Sequence, residues 1–236
     1  ISALQYHELI EELKVVVIPE QREYVVVIGD ISGSKQLNGS DRYRTQLFMK
    51  SAIVQLNEEY HSVMEAQATI TKGDEFQALI DSPLNAYKIV RTMQKMIFPT
   101  VLRFGIGFGP IFRMGGILPI EMDGPAFHRA NQALAQAKKN KSGICFISDN
   151  PSFDALINTI FLLISAIKAK WNERQALLYW DYLEAGTYRR VAEKRNVTPQ
   201  AIGDVLKNIR ATEVMEAEKN LEAVLSQFRS AAARQT

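Results

Sequence analysis

Between residues 24 and 148 the apolar positions change period in a fixed order, and that order restricts the fold more than any other feature of the chain. Tyr24-Val25-Val26-Val27-Ile28 is a continuous apolar run, the pattern of a strand covered on both faces. A helical period follows, capped by Ser40 or Asp41 and running to about Tyr60, with Leu47, Ala52, Ile53, Leu56 and Tyr60 on its apolar face. Residues 63–71 and 75–80 read as two strands around Lys72-Gly73-Asp74, hence a hairpin. Ser82-Pro83 opens a second helix as cap and first-turn proline, and Ile89, Met93, Met96 and Ile97 line it. Residues 101–109 form another strand, in which Gly105, Gly107 and Gly109 alternate, the mark of a backbone or a ligand in close approach. A Gly115-Gly116 turn, a helix opened by Asp123-Gly124-Pro125 that runs to about Lys139, and a strand over 143–148 complete the series. The order β-α-β-β-α-β, then α-β, specifies an α+β fold of the ferredoxin-like, split-βαβ type.

Beyond about residue 150 no strand pattern remains and everything reads as helix. Three units follow: an N-terminal extension over 1–22, a ferredoxin-like domain over 23–150 and an all-α domain over 151–236, the first helix of the last bridging the two parts. Within 1–22, Leu4, Leu9, Ile10 and Leu13 fall at roughly helical spacing ahead of an extended Val15–Pro19. An apolar share of 47% supports a sizeable core, and a net charge of +2 does not by itself indicate nucleic acid. Ile157 to Ile167, interrupted by Asn158, Thr159 and Ser165, is shorter than the roughly 18–20 apolar residues of a membrane span and reads as a buried helix. With no secretory signal at its start and a lone Cys145 in an apolar, strand-like run, the chain is expected to be cytoplasmic, without an internal disulfide and without membrane contact.

Two acidic segments carry the chemistry. Gly29-Asp30-Ile31-Ser32-Gly33-Ser34 ends the first strand, and Lys72-Gly73-Asp74-Glu75-Phe76 turns the hairpin about forty residues later. Two strands that deliver an aspartate to one sheet edge supply hard oxygen ligands for Mg2+ or Mn2+, and Mg2+ shares its shell between one or two carboxylates and substrate phosphates. Asp30 and Asp74 are the metal candidates; the alternative is that they cap turns or pair with Lys72 or Arg103. Glu75 either points to the opposite side of its strand or reaches the site. Asp123 is first a helix cap, with contact to a base or sugar as its rival role; His128 is structural or faces a ligand; Arg129 binds phosphate or is solvated. No Ser-His-Asp arrangement is present, and His7, His61 and His128 have no ligand-like spacing.

A second constellation, Thr187 to Leu206, fits a helix-turn-helix over 187–210. Val191 and Ala192 face inward, Asn196 takes the left-handed turn, Thr198 caps the second helix, Pro199 stands at its first position, and Ile202, Val205 and Leu206 bury it. A DNA-binding version places Gln200, Lys207 and Arg210 toward the major groove and Arg189 and Arg190 on phosphates. Asp204 lies near that face, and docking or dimerisation is the alternative use. Residues 212–228, with Val214, Leu221, Val224, Leu225 and Phe228, form a last amphipathic helix for packing or dimerisation.

Taken together, Tyr24 to Ser34, Lys72-Gly73-Asp74-Glu75-Phe76-Gln77-Ala78-Leu79, Arg103-Phe104-Gly105-Ile106-Gly107, Asp123-Gly124-Pro125-Ala126-Phe127-His128 and the terminal helix pair resemble the SatD family of bacterial proteins over about residues 24 to 210. The first part is similar, more remotely, to class III nucleotidyl cyclase and diguanylate cyclase domains. That resemblance implies Asp30 and Asp74 as ligands to two metal ions, assisted by the Ile31 carbonyl. It also implies a phosphate-wrapping run Ile31, Ser32, Gly33 and Ser34; Lys72, Gly73, Arg103, Asp123, His128 and Arg129 are the further candidates around a nucleotide, a purine nucleotide being the candidate ligand, and Arg103, Arg129 or Lys72 the candidates to replace a missing arginine. Three departures stand out: Ile70 replaces the base-selecting lysine, and His128 and Gln132 stand where such cyclases place an asparagine and an arginine. Loss of an arginine clamp on the transferring phosphoryl oxygens argues against efficient cyclisation. The expectation is a nucleotide-responsive, DNA-binding regulator, homodimeric because class III sites form between subunits. An active cyclase and a non-catalytic adaptor are the alternatives.

Overall fold

The computed structural model describes residues 23–36, 38–113, 118–140 and 142–228. The expected extension over 1–22 and the Gly115-Gly116 turn lie outside them. A mixed α+β arrangement results. In chain order the first part contains β1 (Tyr24–Ile31), α1 (Gly39–Glu59), β2 (Met64–Lys72), β3 (Glu75–Ile80), α2 (Pro83–Met96), β4 (Leu102–Gly109), β5 (Phe112–Arg113), β6 (Met122–Asp123), α3 (Pro125–Asn140) and β7 (Ile144–Ile147). Five strands form one sheet in the order β2-β3-β1-β4-β7. The central strand β1 is antiparallel to both β3 and β4, while β7 joins β4 in parallel. This is the split-βαβ order expected from the periodicities.

The unbroken apolar run of β1 is explained by what covers it. Val25, Val27 and Ile31 face the larger core, beneath α1 and α2, and Tyr24, Val26 and Ile28 face the smaller one, beneath α3. Each such side chain contributes roughly 1.5–3 kcal/mol on full burial. The alternating glycines of β4 also find their partner. A Cβ on Gly105 would run into the Ala130 carbonyl, and one on Gly107 into the Ala126 carbonyl and the Ala130 amide. The close approach is therefore by the backbone of α3, which presents Ala126, Ala130, Ala133 and Ala137 as buried residues.

Helix α1 keeps its expected face, burying Ala52, Ile53 and Leu56 with Tyr60 packed on the same core, but its cap and its first apolar position differ. Its cap is Asn38, whose side-chain oxygen accepts the Asp41 N–H at 2.9 Å; Ser40 only donates to that same oxygen, at 2.8 Å. Its buried stripe is Met49, Ala52, Ile53 and Leu56, and Leu47 is exposed. Three cap-competent residues stand within four positions here, and local preference does not choose among them. Ser82 and Pro83 act as expected, the Ser82 hydroxyl accepting from the Asn85 N–H at 3.4 Å.

The helical part contains α4 (Pro151–Lys168), α5 (Glu173–Ala185), α6 (Tyr188–Arg195), α7 (Pro199–Asn208) and α8 (Ala211–Ser226). Among the described residues α4 alone is long and apolar enough to cross a membrane by length and composition. The expected buried helix is buried along one face only: Ile157 and Phe161 enter the sheet core and Ile164 enters a second core with Leu178, Tyr179, Val191, Ile202 and Leu206, while Leu156, Leu162 and Leu163 are exposed. The last helix crosses back. Ala211 and Val214 belong to the second core, whereas Leu221, Leu225 and the following Phe228 belong to the sheet core. The Phe228 ring meets those of Phe108, Phe146 and Phe153 at centroid distances of 5.0, 5.8 and 4.3 Å.

At the junction sits Glu218, buried at 3% exposure. Its carboxylate accepts from Arg91 of α2 at 2.8 Å, Lys168 of α4 at 2.5 Å and the Tyr179 hydroxyl of α5 at 2.5 Å. Burial lowers the Lys168 pKa and, with the adjoining Glu218 charge, raises that of Tyr179. Four helices thus meet at one carboxylate.

Candidate functional site: the acidic end of the sheet

Strand register builds the site. Asp30 at the end of β1 lies directly opposite Glu75 of β3 and Arg103 of β4. Directly opposed residues of antiparallel strands point to the same face. The row across the sheet end is therefore Glu75-Asp30-Arg103, and it faces α3, as Tyr24, Val26 and Ile28 do. From α3 the Lys138 ammonium reaches the Asp30 carboxylate at 3.0 Å. Lys138 had not been singled out in the sequence, although a signal was there: steps of four from the buried Ala126 through Ala130 and Leu134 arrive at residue 138.

Asp74 occupies the hairpin turn beside this row. Its backbone carbonyl accepts the Ile31 N–H at 3.1 Å, which fastens the hairpin to the end of β1. Its carboxylate takes a short hydrogen bond from the Ser34 hydroxyl. Between Ile31 and Ser34 the chain turns through Gly33 at φ +75°, a conformation that glycine adopts without strain. The Ser32 N–H is spent on the Val101 carbonyl at 2.8 Å. Glu75 is buried; it accepts from the Thr71 hydroxyl at 3.1 Å and stands 3.6 Å from the Lys72 ammonium, itself largely solvated. Asp30, Asp74, Arg103, Ile31, Ser32, Gly33, Ser34, Lys72 and Gly73 are thus gathered at one sheet end.

The remaining candidates are elsewhere. Asp123, His128 and Arg129 sit at the opposite end, where Gly109 pairs with Tyr24. Six residues of β1 separate the two ends, about 20 Å at the rise of a strand. Asp123 accepts the Gly124 N–H at 2.7 Å and faces the His128 ring at 3.4 Å. Arg129 donates to the Phe108 carbonyl at 2.6 Å, holding α3 against β4. Cys145 is buried; burial, and then the Asp154 charge, push its thiol up to about 11.

The donor set admits a particular kind of cation. Among the described residues no three His, Cys, Asp or Glu side chains come close enough to cage an ion. Asp30 and Asp74 flank the same turn, and one or two carboxylates with phosphate oxygens completing the shell is the usual arrangement for Mg2+. Two carboxylates would leave most of such a shell to other oxygens.

In the helical part, α6 and α7 join through a three-residue turn. Asn196 is left-handed at φ 52°, Thr198 accepts the Ala201 N–H at 3.2 Å, and Pro199 opens α7. Val191, Ala192, Ile202 and Leu206 are buried between them, and Gly203 lies against the Tyr188 ring. Arg189 pairs with Glu193 at 3.1 Å, Arg190 donates to the Ala185 carbonyl at 3.4 Å, and Gln200 donates to Asp204 at 3.1 Å. Lys207 is exposed in the last turn of α7. Arg210 does not lie on α7; it follows its end, left-handed at φ 59°, and pairs with Glu213 of α8 at 3.0 Å.

The SatD family model matches residues 24–221. No curated protein matches the chain. Among solved structures, a bacterial light-regulated adenylyl cyclase is 15% identical over 61% of this chain, with a TM-score of 0.40, and this chain spans about half of its length, 52%. The guanylyl cyclase Cya2 is 12% identical over 50% of this chain and 71% of its own, at 0.36. The FimX GGDEF domain from Pseudomonas aeruginosa is 13% identical over 61% of this chain and 91% of its own, at 0.39.

Proposed function

We propose, for a chain that belongs to the SatD family, that the acidic end of the sheet binds a divalent cation together with a purine nucleotide, and that the C-terminal helices convey this to DNA as a helix-turn-helix. What supports the reading is that the turn following Asp30 is tied to Asp74, the Ser34 hydroxyl donating to the Asp74 carboxylate. Mg2+ or Mn2+ would be held by Asp30 and Asp74 and would neutralise phosphate charge there. Lys138 already satisfies Asp30, so the ammonium and a divalent ion compete for one carboxylate. Asp123, His128 and Arg129 stand too far from Asp30 to touch the same nucleotide within one chain; a second copy would have to supply them, which favours a homodimer.

On the DNA side, Gln200 and Lys207 lie on the exposed face of α7, and Arg189 and Arg190 flank it for phosphates. Arg210 is left to backbone contact. The route between the two ends is the helix pair α4 and α8, each of which enters both cores. A ligand that prefers one arrangement of these helices shifts the population toward it. The reading is regulatory and cytoplasmic rather than catalytic, because Gln132, exposed on α3, replaces the arginine a cyclase would use on the phosphoryl oxygens.

The test is calorimetric titration of purine nucleoside triphosphates and cyclic nucleotides in Mg2+ or Mn2+ against the wild type and Asp30→Asn. The reading predicts metal-dependent binding that the variant loses while its melting temperature holds. Absence of binding by every nucleotide would refute it and leave the acidic row as structure.

A further inference from the structure

A second cleft lies between the sheet and the helical part. It encloses about 420 Å³, a volume typical of small-ligand pockets, which favour domain junctions and aromatic walls with few polar groups. Its walls are the indoles of Trp171 and Trp180, the Phe98 ring and Pro99, and its polar lining includes Gln94 and Ser165. Trp171 is fixed in place by its indole N–H, which donates to the Ile209 carbonyl at 2.8 Å.

Two of the polar groups border one notch. A Cβ built on Gly143 would sit 3.6 Å from the Ser165 hydroxyl and 3.9 Å from the Gln94 amide nitrogen. Among the described residues neither side chain has a hydrogen-bond partner. One amide and one hydroxyl, uncommitted and bordering the same notch, can read a ligand edge that carries both a donor and an acceptor. The charge of the site is also set. The Lys168 ammonium lies 5.9 Å from the Trp171 ring centre and 5.4 Å from that of Trp180, and Glu218 neutralises it at 2.5 Å. That cation repels a positively charged ring, and its paired carboxylate removes any net pull on an anion.

We infer that this cleft binds an uncharged, planar nitrogen heteroaromatic molecule of nucleoside size, stacked on the two indoles and read along its edge by Gln94 and Ser165. The site stands apart from the acidic turn and needs neither phosphate nor metal. The two adjoin nevertheless: Val101, in the cleft wall, accepts the Ser32 N–H of the turn. Lys168, in the floor, holds the carboxylate on which four helices meet. Occupancy would therefore bear on both ends of the protein.

Both tryptophans of the chain line this cleft, so intrinsic indole fluorescence reports on it alone. Adenosine, guanosine and hypoxanthine are titrated in the presence of a chelator. The expected result is saturable quenching by at least one of them below about 1 mM. Quenching by a nucleoside but not by hypoxanthine would assign the ribose to the site, and the reverse would assign the base alone. Gly143→Leu fills the notch at ordinary contact distances and should abolish the quenching at an unchanged melting temperature. Ser165→Leu serves the same purpose should that variant misfold. Gln94→Leu should weaken binding about tenfold or more, and Asp30→Asn should leave it unchanged. Absence of saturable quenching by all three probes, or quenching that survives in folded Gly143→Leu, overturns the assignment.

Discussion

Removing the carboxylate at the four-helix junction tests how the two parts of the molecule are held together. Glu218 is 3% exposed and has three partners, Arg91 at 2.8 Å, Lys168 at 2.5 Å and the Tyr179 hydroxyl at 2.5 Å. Arg91 keeps a second carboxylate, Glu222, at 2.8 Å. Lys168 has no other anion among its described contacts, and Tyr179 loses its acceptor. Glu218→Leu therefore strands one buried ammonium and one buried hydroxyl. Breaking a buried ion pair by deleting one partner costs roughly 3–5 kcal/mol. In a protein of this size each kilocalorie moves the midpoint by about 2–4 °C, so the melting temperature should fall by about 6–20 °C. The double variant Glu218→Leu/Lys168→Met removes the stranded charge and should recover a large part of the loss. Urea unfolding and thermal melting of the single and double variants measure both effects. A single variant within about 1 kcal/mol of wild type, or a double variant no more stable than the single, would refute the reasoning.

Three further outcomes are expected. Gly107→Ala should destabilise by roughly 3 kcal/mol, because the added methyl meets the backbone of α3, which cannot rotate aside; a midpoint unchanged in thermal melting would contradict this. Lys138→Met should tighten Mn2+ binding about tenfold or more in calorimetry with a purine nucleoside triphosphate present, since it frees Asp30; unchanged or weaker binding would show that the ammonium does not compete. For Cys145 the sign follows from a folded pKa of about 11, above its ordinary 9.0. The stability it contributes is complete below about pH 9 and is lost as pH rises through 11. Relative to Cys145→Ala, the wild type should lose about 2 kcal/mol across that range, and its thiol should resist disulfide reagents at pH 8; rapid native-state labelling would sink this.

Much of the architecture was legible because it is local. Apolar period distinguishes strand from helix within a window of a few residues, so the order of elements, the hairpin at Lys72-Gly73-Asp74 and the sheet connectivity follow from the chain itself. Asn196, Thr198 and Pro199 behave as their side chains dictate, since turn and cap chemistry is satisfied within four residues. The start of α1 was not legible: Asn38, Ser40 and Asp41 compete for one cap, and Asn38 takes it.

What the sequence by itself determined is which residues share a face, and which positions demand glycine, a cap or a break. What only the tertiary structure decided is who stands opposite whom. Gly105 and Gly107 announced a close approach, but the approaching backbone, α3, lies some twenty-five residues further on. The opposition of Asp30 to Glu75 and Arg103, the arrival of Lys138, the separation of His128 from Asp30 and the return of α8 to the sheet core all join residues distant in sequence. Periodicity fixes orientation because it repeats within each element. Partners depend on strand register and on where each helix axis crosses the sheet, and these are set by packing of the whole core at once.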